Sequence, residues 1–474
     1  MTSTLYPDLC IIGAGAAGLT AAASAAAFGV RVVLIESGLM GGDCLHHGCV
    51  PSKALIAAAR HAHACRRGAP FGIVAVEPEI DFSAVAAHIR ATIEEIAPND
   101  SAERFEALGV QVIRAEAKFI NRRTVVAGDY RIRARRFIVA TGSKPHIPAI
   151  PGLREADYLT NETIFSLRER PEHLLILGAG PAGLELAQAY RRLGSAVTVI
   201  EAKRALRPFD AELARPLFRQ LAAEGVTIFE DTLVTRVEHP GTGRVVLRYH
   251  RGESAGQIEG SHLLVVTGRS ADLSGIDPVR AGIRRGVRGV HLDARLRTTN
   301  RRIHVIGDAA GGFSTHGAAY QAALAVRAAL FRFGVRHDAR LVPRILLTDP
   351  EIAEVGLNEA AARALHGRIH VLRWAFADND RAVAERRTEG FIKVIASPRG
   401  RVLGAGIVGA HAVELIGLWS LAVARGMRLS DIVGHVPPYP SYGEVGRRAA
   451  IAYYAPHARR PLVRRLIGFL RMFG

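Results

Sequence analysis

The stretch "LCIIGAGAAGLTAAASAAAFGVRVVLIES", Leu9–Ser37, returns later in the chain as "LLILGAGPAGLELAQAYRRLGSAVTVIEA", Leu174–Ala202. Each copy reads as a short apolar strand, a G-x-G-x-x-G turn, an Ala-rich helix and a second apolar strand ending in glutamate. The glycines are Gly13, Gly15 and Gly18 in the first copy, and Gly178, Gly180 and Gly183 in the second. Glu36 and Glu201 each follow their first glycine by 23 positions. One such motif is weak evidence, because Gly-rich turns have purely structural uses. Two copies, each with an acidic residue at the same distance, predict two dinucleotide-binding units of Rossmann type. The first glycine makes the tight turn, the second lets backbone approach a pyrophosphate, and the third allows close helix–strand packing. The helix N-terminus then faces the phosphates, and the terminal carboxylate accepts ribose hydroxyls.

Other strand-then-glycine stretches surround the repeats. "RFIVATGSKP" (Arg136–Pro145), with Thr141 and Gly142, and "HLLVVTGRSA" (His262–Ala271), with Gly268, each close a segment that follows one repeat. "IHVIGDAAGG" (Ile303–Gly312) sets Asp308 just past an apolar strand. From Thr348 the character changes to alternating strand patterns such as "GFIKVIA" and "VLGAGIVG", with no nucleotide motif. The expected fold is therefore α/β, with two Rossmann-like dinucleotide-binding domains and an α+β C-terminal domain. The expected segments are 1–150 for the first dinucleotide domain, 151–272 for the second, 273–342 for a return to the first, and 343–474 for the C-terminal domain.

Composition narrows the function. The net charge of +18 invites a nucleic-acid reading, but five of the 62 basic residues are lysine and the other 57 are arginines spread along the whole chain. No helix-turn-helix, zinc-finger or RNA-binding signature accompanies them, so nucleic acid is not an expected partner. Leu9–Val30 is an uncharged run of 22 residues, long enough to span a bilayer. Asp8 before it and the spaced glycines within it favour a strand–turn–helix instead. The four cysteines are too few for a secreted disulfide scaffold, which points to a reducing compartment and a cytoplasmic location.

Two of those cysteines lie in "GGDCLHHGCVPSK", Gly41–Lys53. Cys44 and Cys49 would stand about 140° apart on a regular helix, so joining their sulfurs needs an irregular turn, which Gly48 can supply. Pro51 suits the first turn of the next helix, placing Cys49 where the helix dipole favours a thiolate. Lys53 adds a positive charge one turn in. Cys44, His46, His47 and Cys49 also form a compact potential zinc set, although zinc cysteines more often sit in pairs two to four apart. Proximity to the first dinucleotide site favours a redox pair, and no metal is expected.

With these motifs, the chain from about residue 8 to 450 resembles the class I flavoprotein disulfide reductases, which include dihydrolipoyl dehydrogenase, glutathione reductase and mercuric reductase. The resemblance implies FAD at the first repeat, held by Gly13, Gly15, Gly18, Glu36, Gly42, Lys53, Thr141, Gly142 and Asp308. A nicotinamide nucleotide at the second would meet Gly178, Gly180, Gly183, Glu201 and Gly268. Cys44 takes the place of the interchange thiol and Cys49 that of the flavin-contacting, charge-transfer thiol. Lys53 and Glu185 match an ion pair near the flavin N5, and Asp308 matches the ribityl-binding residue. The stretch from Thr348 resembles the domain through which these enzymes dimerise, each copy completing its partner's active site.

The resemblance breaks near the C-terminus. Thiol-using members carry H-P-T-x-x-E, whose His–Glu pair shuttles protons, whereas this chain has "YPSYGE", Tyr439–Glu444. Tyr439 takes the histidine's place, and a phenol with a pKa of about 10 is a poor base at neutral pH. His435, upstream, is a potential substitute, and His46 and His47 lie beside the thiols. No cysteine follows Cys65, so the C-terminal cysteine pair usual in mercuric reductases is missing. Glu201 favours NADH over NADPH. Three acceptor readings stand: a small thiol or disulfide, a metal ion or quinone, or a non-enzymatic flavoprotein redox sensor. "HAHAC" sets His61 and Cys65 on one helical face, most simply an Ala-rich helix surface. The tail "RRPLVRRLIGFLRMFG", Arg459–Gly474, is basic and amphipathic, suited to a peripheral membrane contact or to packing on a dimer.

Overall fold

Leu9–Ile12, the apolar start of the first repeat, is a fully buried strand at the centre of a parallel sheet. The computed structural model describes residues 3–241, 243–286, 289–312, 314–331, 334–458 and 461–473. The first sheet runs Ile303–Val305, Arg136–Val139, Leu9–Ile12, Val32–Glu36, Val110–Arg114, every neighbour parallel. Helix Ala16–Ala26 follows the central strand, and its buried alanines pack against Ala318, Ala322 and Ala325 of helix Thr315–Phe331. The second repeat builds the same arrangement: Tyr158–Leu159, His262–Val265, His173–Leu177, Ala196–Ile200, Val226–Phe229, again all parallel. Strands buried on both faces read as continuous apolar runs, which is why "LCII" and "LLIL" lack polar alternation.

The uncharged run Leu9–Val30 is thus strand, turn and helix, and no described helix is long and apolar enough to cross a membrane. Glu36 ends its strand as expected, whereas Glu201 stands one residue past Ala196–Ile200. Each parallel sheet has an accessory sheet beside it in the sequence, built from Ser3–Leu5 with Ala117–Ile132 strands and from Thr232–Gly260 strands.

The chain divides into two compact units, Met1–Ala205 with Val226–Asp338, and Leu206–Gly225 with Ala339–Gly474. Residues 206–225, which the sequence places in segment 151–272, therefore group with the C-terminal unit. One tie is a buried ion cluster. Lys393, in strand Phe391–Ala396, is buried and held by Asp210 at 2.8 Å, Glu212 at 2.8 Å and Glu359 at 3.1 Å. Its ammonium ties helix Ala211–Ala223 to the sheet, because a buried charge demands such partners. That sheet is antiparallel, ordered Arg344–Leu346, Glu351–Gly356, Val402–Gly409, Phe391–Ala396, His370–Ala375. Helices Ala412–Arg425 and Glu444–Ala458 cover it around Trp419.

Candidate active site

The dinucleotide turns are formed as their glycines dictate. Gly13 and Gly178 adopt φ of 102° and 109°, a region costly to side chains. A Cβ on Gly18 would lie 1.8 Å from the Gly13 carbonyl oxygen, and one on Gly183 2.0 Å from that of Gly178. The third glycine of each motif is thus fixed by sterics. Glu36 accepts hydrogen bonds from the backbone N–H of Ala14 (2.6 Å) and Gly38 (2.6 Å). Glu201 accepts from Ala179 (2.9 Å) and Lys203 (3.1 Å), so both carboxylates stand at the lip of their turn. Helices Ala16–Ala26 and Pro181–Arg192 begin without a side-chain cap or an acidic residue in the first turn. Their leading N–H groups suit an anion, and the space beside Gly180 is open. The residues present fit two dinucleotides.

The redox loop is pinned to the first of these turns. Gly41 N–H donates to the Ala14 carbonyl at 2.9 Å, and a Cβ on Gly42 would lie 2.8 Å from Gly15 Cα. Helix Gly42–His46 carries Cys44, and helix Cys49–Arg66 opens directly on Cys49. Between them Gly48 has φ −130° and ψ −112°, the irregular turn expected, and a Cβ there would crowd the Asp43 carbonyl oxygen at 3.0 Å. The cysteines of the chain are free, Cys44 half-buried and Cys49 exposed.

The two sulfurs divide their proton unequally. Cys44 donates to Cys49, and this bond, with burial and the nearby negative sulfur, pushes the Cys44 thiol up. The same bond is the largest of the influences that lower Cys49 to about 6, followed by the Thr315 hydroxyl and the Lys53 charge, while burial and Glu185 oppose them. Thr315 Oγ1 lies 3.2 Å from Cys49 Sγ and 3.3 Å from Cys44 Sγ. These influences favour the thiolate at Cys49 and the thiol at Cys44.

Lys53 Nζ meets Glu185 Oε2 at 2.8 Å, joining the redox helix to helix Pro181–Arg192 across 132 residues of sequence. Glu185 is buried, which gives the pair a defined position. A second cluster, centred on Arg269, is not legible in the sequence. Arg269 donates to Ser143 Oγ (2.7 Å) and Asn161 Oδ1 (3.0 Å), and its guanidinium lies 3.3 Å from Asp43 and 3.7 Å from Asp308. Ser143 in turn donates to Asp308 at 2.6 Å. Burial raises the Asp308 carboxyl against these donors. Thr141 donates to the Asp272 carbonyl at 2.5 Å, and Gly142 and Gly268 both have positive φ beside open space. His46 Nε2 is engaged by the Met40 carbonyl at 2.9 Å. Among the described residues no group of three or more His, Cys, Asp or Glu side chains is arranged to hold a metal ion. His61 and Cys65 are exposed on the redox helix.

In the C-terminal unit Tyr439 is 71% exposed and donates its phenol proton to Asp380 Oδ2 at 2.9 Å. That bond, and the charges of Asp380 and Glu444, raise its pKa further from neutrality. Glu444 opens helix Glu444–Ala458, and His435 ends helix Leu429–Gly434. Of the expected tail, residues 459, 460 and 474 lie outside the described residues.

Residues 7–323 match the model of the pyridine nucleotide-disulphide oxidoreductases, and residues 342–450 match that of their dimerisation domain. The chain is 33% identical over 462 residues to a mercuric reductase of Streptomyces lividans, covering 95% of this chain and 97% of that protein. It is 30% identical over 455 residues to the dihydrolipoyl dehydrogenase of Bacillus subtilis, covering 94% and 98%. Among solved structures it resembles LpdA from Mycobacterium tuberculosis, with a TM-score of 0.87, 27% identity and coverage of 95% and 100%. The Cu(II) complex of the HOCl-induced flavoprotein disulfide reductase RclA from Escherichia coli gives 0.82, 26%, and coverage of 94% and 99%.

Proposed function

The chain belongs to the pyridine nucleotide-disulphide oxidoreductases, and from that premise we propose that its Cys44–Cys49 pair delivers nicotinamide-derived electrons to a soft metal ion. FAD, when bound, supplies the two-electron chemistry between nucleotide and sulfur. The first repeat would hold it, through the helix N-terminus at Gly15, Glu36, the Gly41–Gly42 backbone, Asp308 and the Lys53–Glu185 pair. The second repeat would hold NADH, Glu201 accepting the ribose hydroxyls. In the homodimer one copy's C-terminal unit would complete the other's site. The expected setting is a reducing cytoplasm.

The observation that carries the metal reading is the hydrogen bond from Tyr439 to Asp380. A thiol substrate needs a base to take protons during exchange with Cys44, and a phenol held as a donor cannot serve. A thiophilic metal ion needs none, because coordination itself strips the thiol proton. Cys44 and Cys49 offer it two sulfur ligands. The mercuric reductase and the copper-bound reductase among the relatives are consistent with that chemistry.

A lipoyl or small disulfide substrate is the second reading, favoured by Glu444 and the dihydrolipoyl dehydrogenase relatives. Steady-state NADH oxidation with mercuric ion, cupric ion, lipoamide, glutathione disulfide and a quinone separates them. Metal-dependent turnover should dominate. Lipoamide turnover equal to it would overturn the metal reading.

A further inference from the structure

Helix Pro461–Leu470 and the turn Arg471–Phe473 form a surface that the redox chemistry does not use. No residue of this helix is buried, and Leu462, Leu466, Phe469, Leu470 and Phe473 are each more than half exposed. At 100° per residue, Leu462, Leu466, Phe469 and Leu470 fall within an arc of about 100°. Phe473 meets Phe469 edge-on at 5.0 Å and extends the patch. Arg464 falls opposite this arc and Arg465 on its flank, with Arg471 following. The sequence from Val445 to Gly474 contains no acidic residue. The match to the dimerisation domain ends at residue 450, before this helix begins.

We propose that helix Pro461–Leu470, with the turn after it, lays its apolar stripe into the surface of an anionic lipid bilayer while its arginines meet lipid phosphates. Ten residues of helix span about 15 Å, half a bilayer's hydrocarbon thickness, so the helix lies in the interface and does not cross it. An apolar stripe bordered by arginines is the pattern that such interfacial helices share. Charge also selects the occupant. Pairing with the same helix of a second copy would bring together segments that are cationic and have no acidic residue to compensate, whereas an anionic bilayer satisfies both faces at once.

The test uses the full-length FAD-loaded enzyme, co-sedimented with phosphatidylcholine vesicles containing phosphatidylglycerol or with phosphatidylcholine alone. Binding should require phosphatidylglycerol and weaken with salt. It should fall about tenfold or more in Leu466→Glu/Phe469→Glu and likewise in Arg464→Glu/Arg465→Glu. NADH oxidation in solution and dimer mass should be unchanged in both variants. Wild-type binding by Leu466→Glu/Phe469→Glu would show that this stripe does not meet the bilayer and overturn the proposal. Loss of dimer mass in that variant would make a second copy the occupant and overturn it equally. No binding to either vesicle would do the same.

Discussion

Thr315 sets one hydroxyl against both redox sulfurs, 3.2 Å from Cys49 Sγ and 3.3 Å from Cys44 Sγ. The hydroxyl is placed to donate to Cys44, while toward Cys49 either atom can be the donor, and a Cys49 thiolate can only accept. Cys49 is lowered to about 6, so its thiolate is present above that pH and protonated below it. In NADH-reduced enzyme the thiolate-to-flavin absorption band should therefore fade as pH drops through about 6. Thr315→Val removes a donor to the charged form and should move that midpoint up by about one pH unit, the worth of one charge-assisted hydrogen bond. An unmoved midpoint would mean that the hydroxyl serves Cys44 instead.

The unequal sharing of protons assigns the sulfurs distinct roles. Cys49→Ser should abolish the long-wavelength band, since serine gives no thiolate at neutral pH. Cys44→Ser should keep it, because a serine hydroxyl can still donate to Cys49. Anaerobic NADH titration of the two variants decides the matter, and a band that survives Cys49→Ser would reverse the assignment.

The parts of this site that could be read from sequence are those whose residues answer to sterics or to short spacing. Gly18 and Gly183 admit no side chain because the preceding turn's carbonyl oxygen occupies the place of a Cβ, so the pattern survives in the letters. Cys49 at the helix start follows from Pro51 and Gly48 beside it. Thr315 and Arg269 could not be found that way. They reach the redox loop from 266 and 226 positions away, and nothing in "GGFSTHGAAY" or "VVTGRSA" marks the contact. Lys393 is hidden for another reason: nothing in "GFIKVIA" shows that it is buried, because Asp210, Glu212 and Glu359 converge on it from distant parts of the chain.

Nucleotide choice should follow Glu201. Its carboxylate is held at the second turn by the N–H groups of Ala179 and Lys203, where a 2′-phosphate would meet a like charge. Such juxtaposition costs a few kcal/mol, so kcat/KM for NADH should exceed that for NADPH by at least about tenfold. Glu201→Gln should narrow the gap mainly by improving NADPH. The exposed Lys203 and Arg204 nearby soften the repulsion without removing it. A wild-type preference for NADPH would sink this assignment.

Tyr439 supplies the sharpest test of the acceptor. Its phenol donates to Asp380 and is raised further from neutrality, so it holds its proton throughout the working pH range. General-base assistance is worth roughly 10²–10⁴-fold, and its loss should leave dihydrolipoamide oxidation slow although reduction of the flavin by NADH is fast. Tyr439→His restores a group that titrates near neutral pH, and Glu444 is present to pair with it. Dihydrolipoamide turnover should rise in that variant by about tenfold or more, while cupric or mercuric reduction changes little. Stopped-flow reduction by NADH, measured alongside, separates a change in the proton step from damage to the first half-reaction. If wild type already oxidises dihydrolipoamide efficiently, and Tyr439→Phe does so equally well, another group moves the proton. His435, at the end of helix Leu429–Gly434, would be the group to replace next, and the lipoyl reading would take precedence over the metal one.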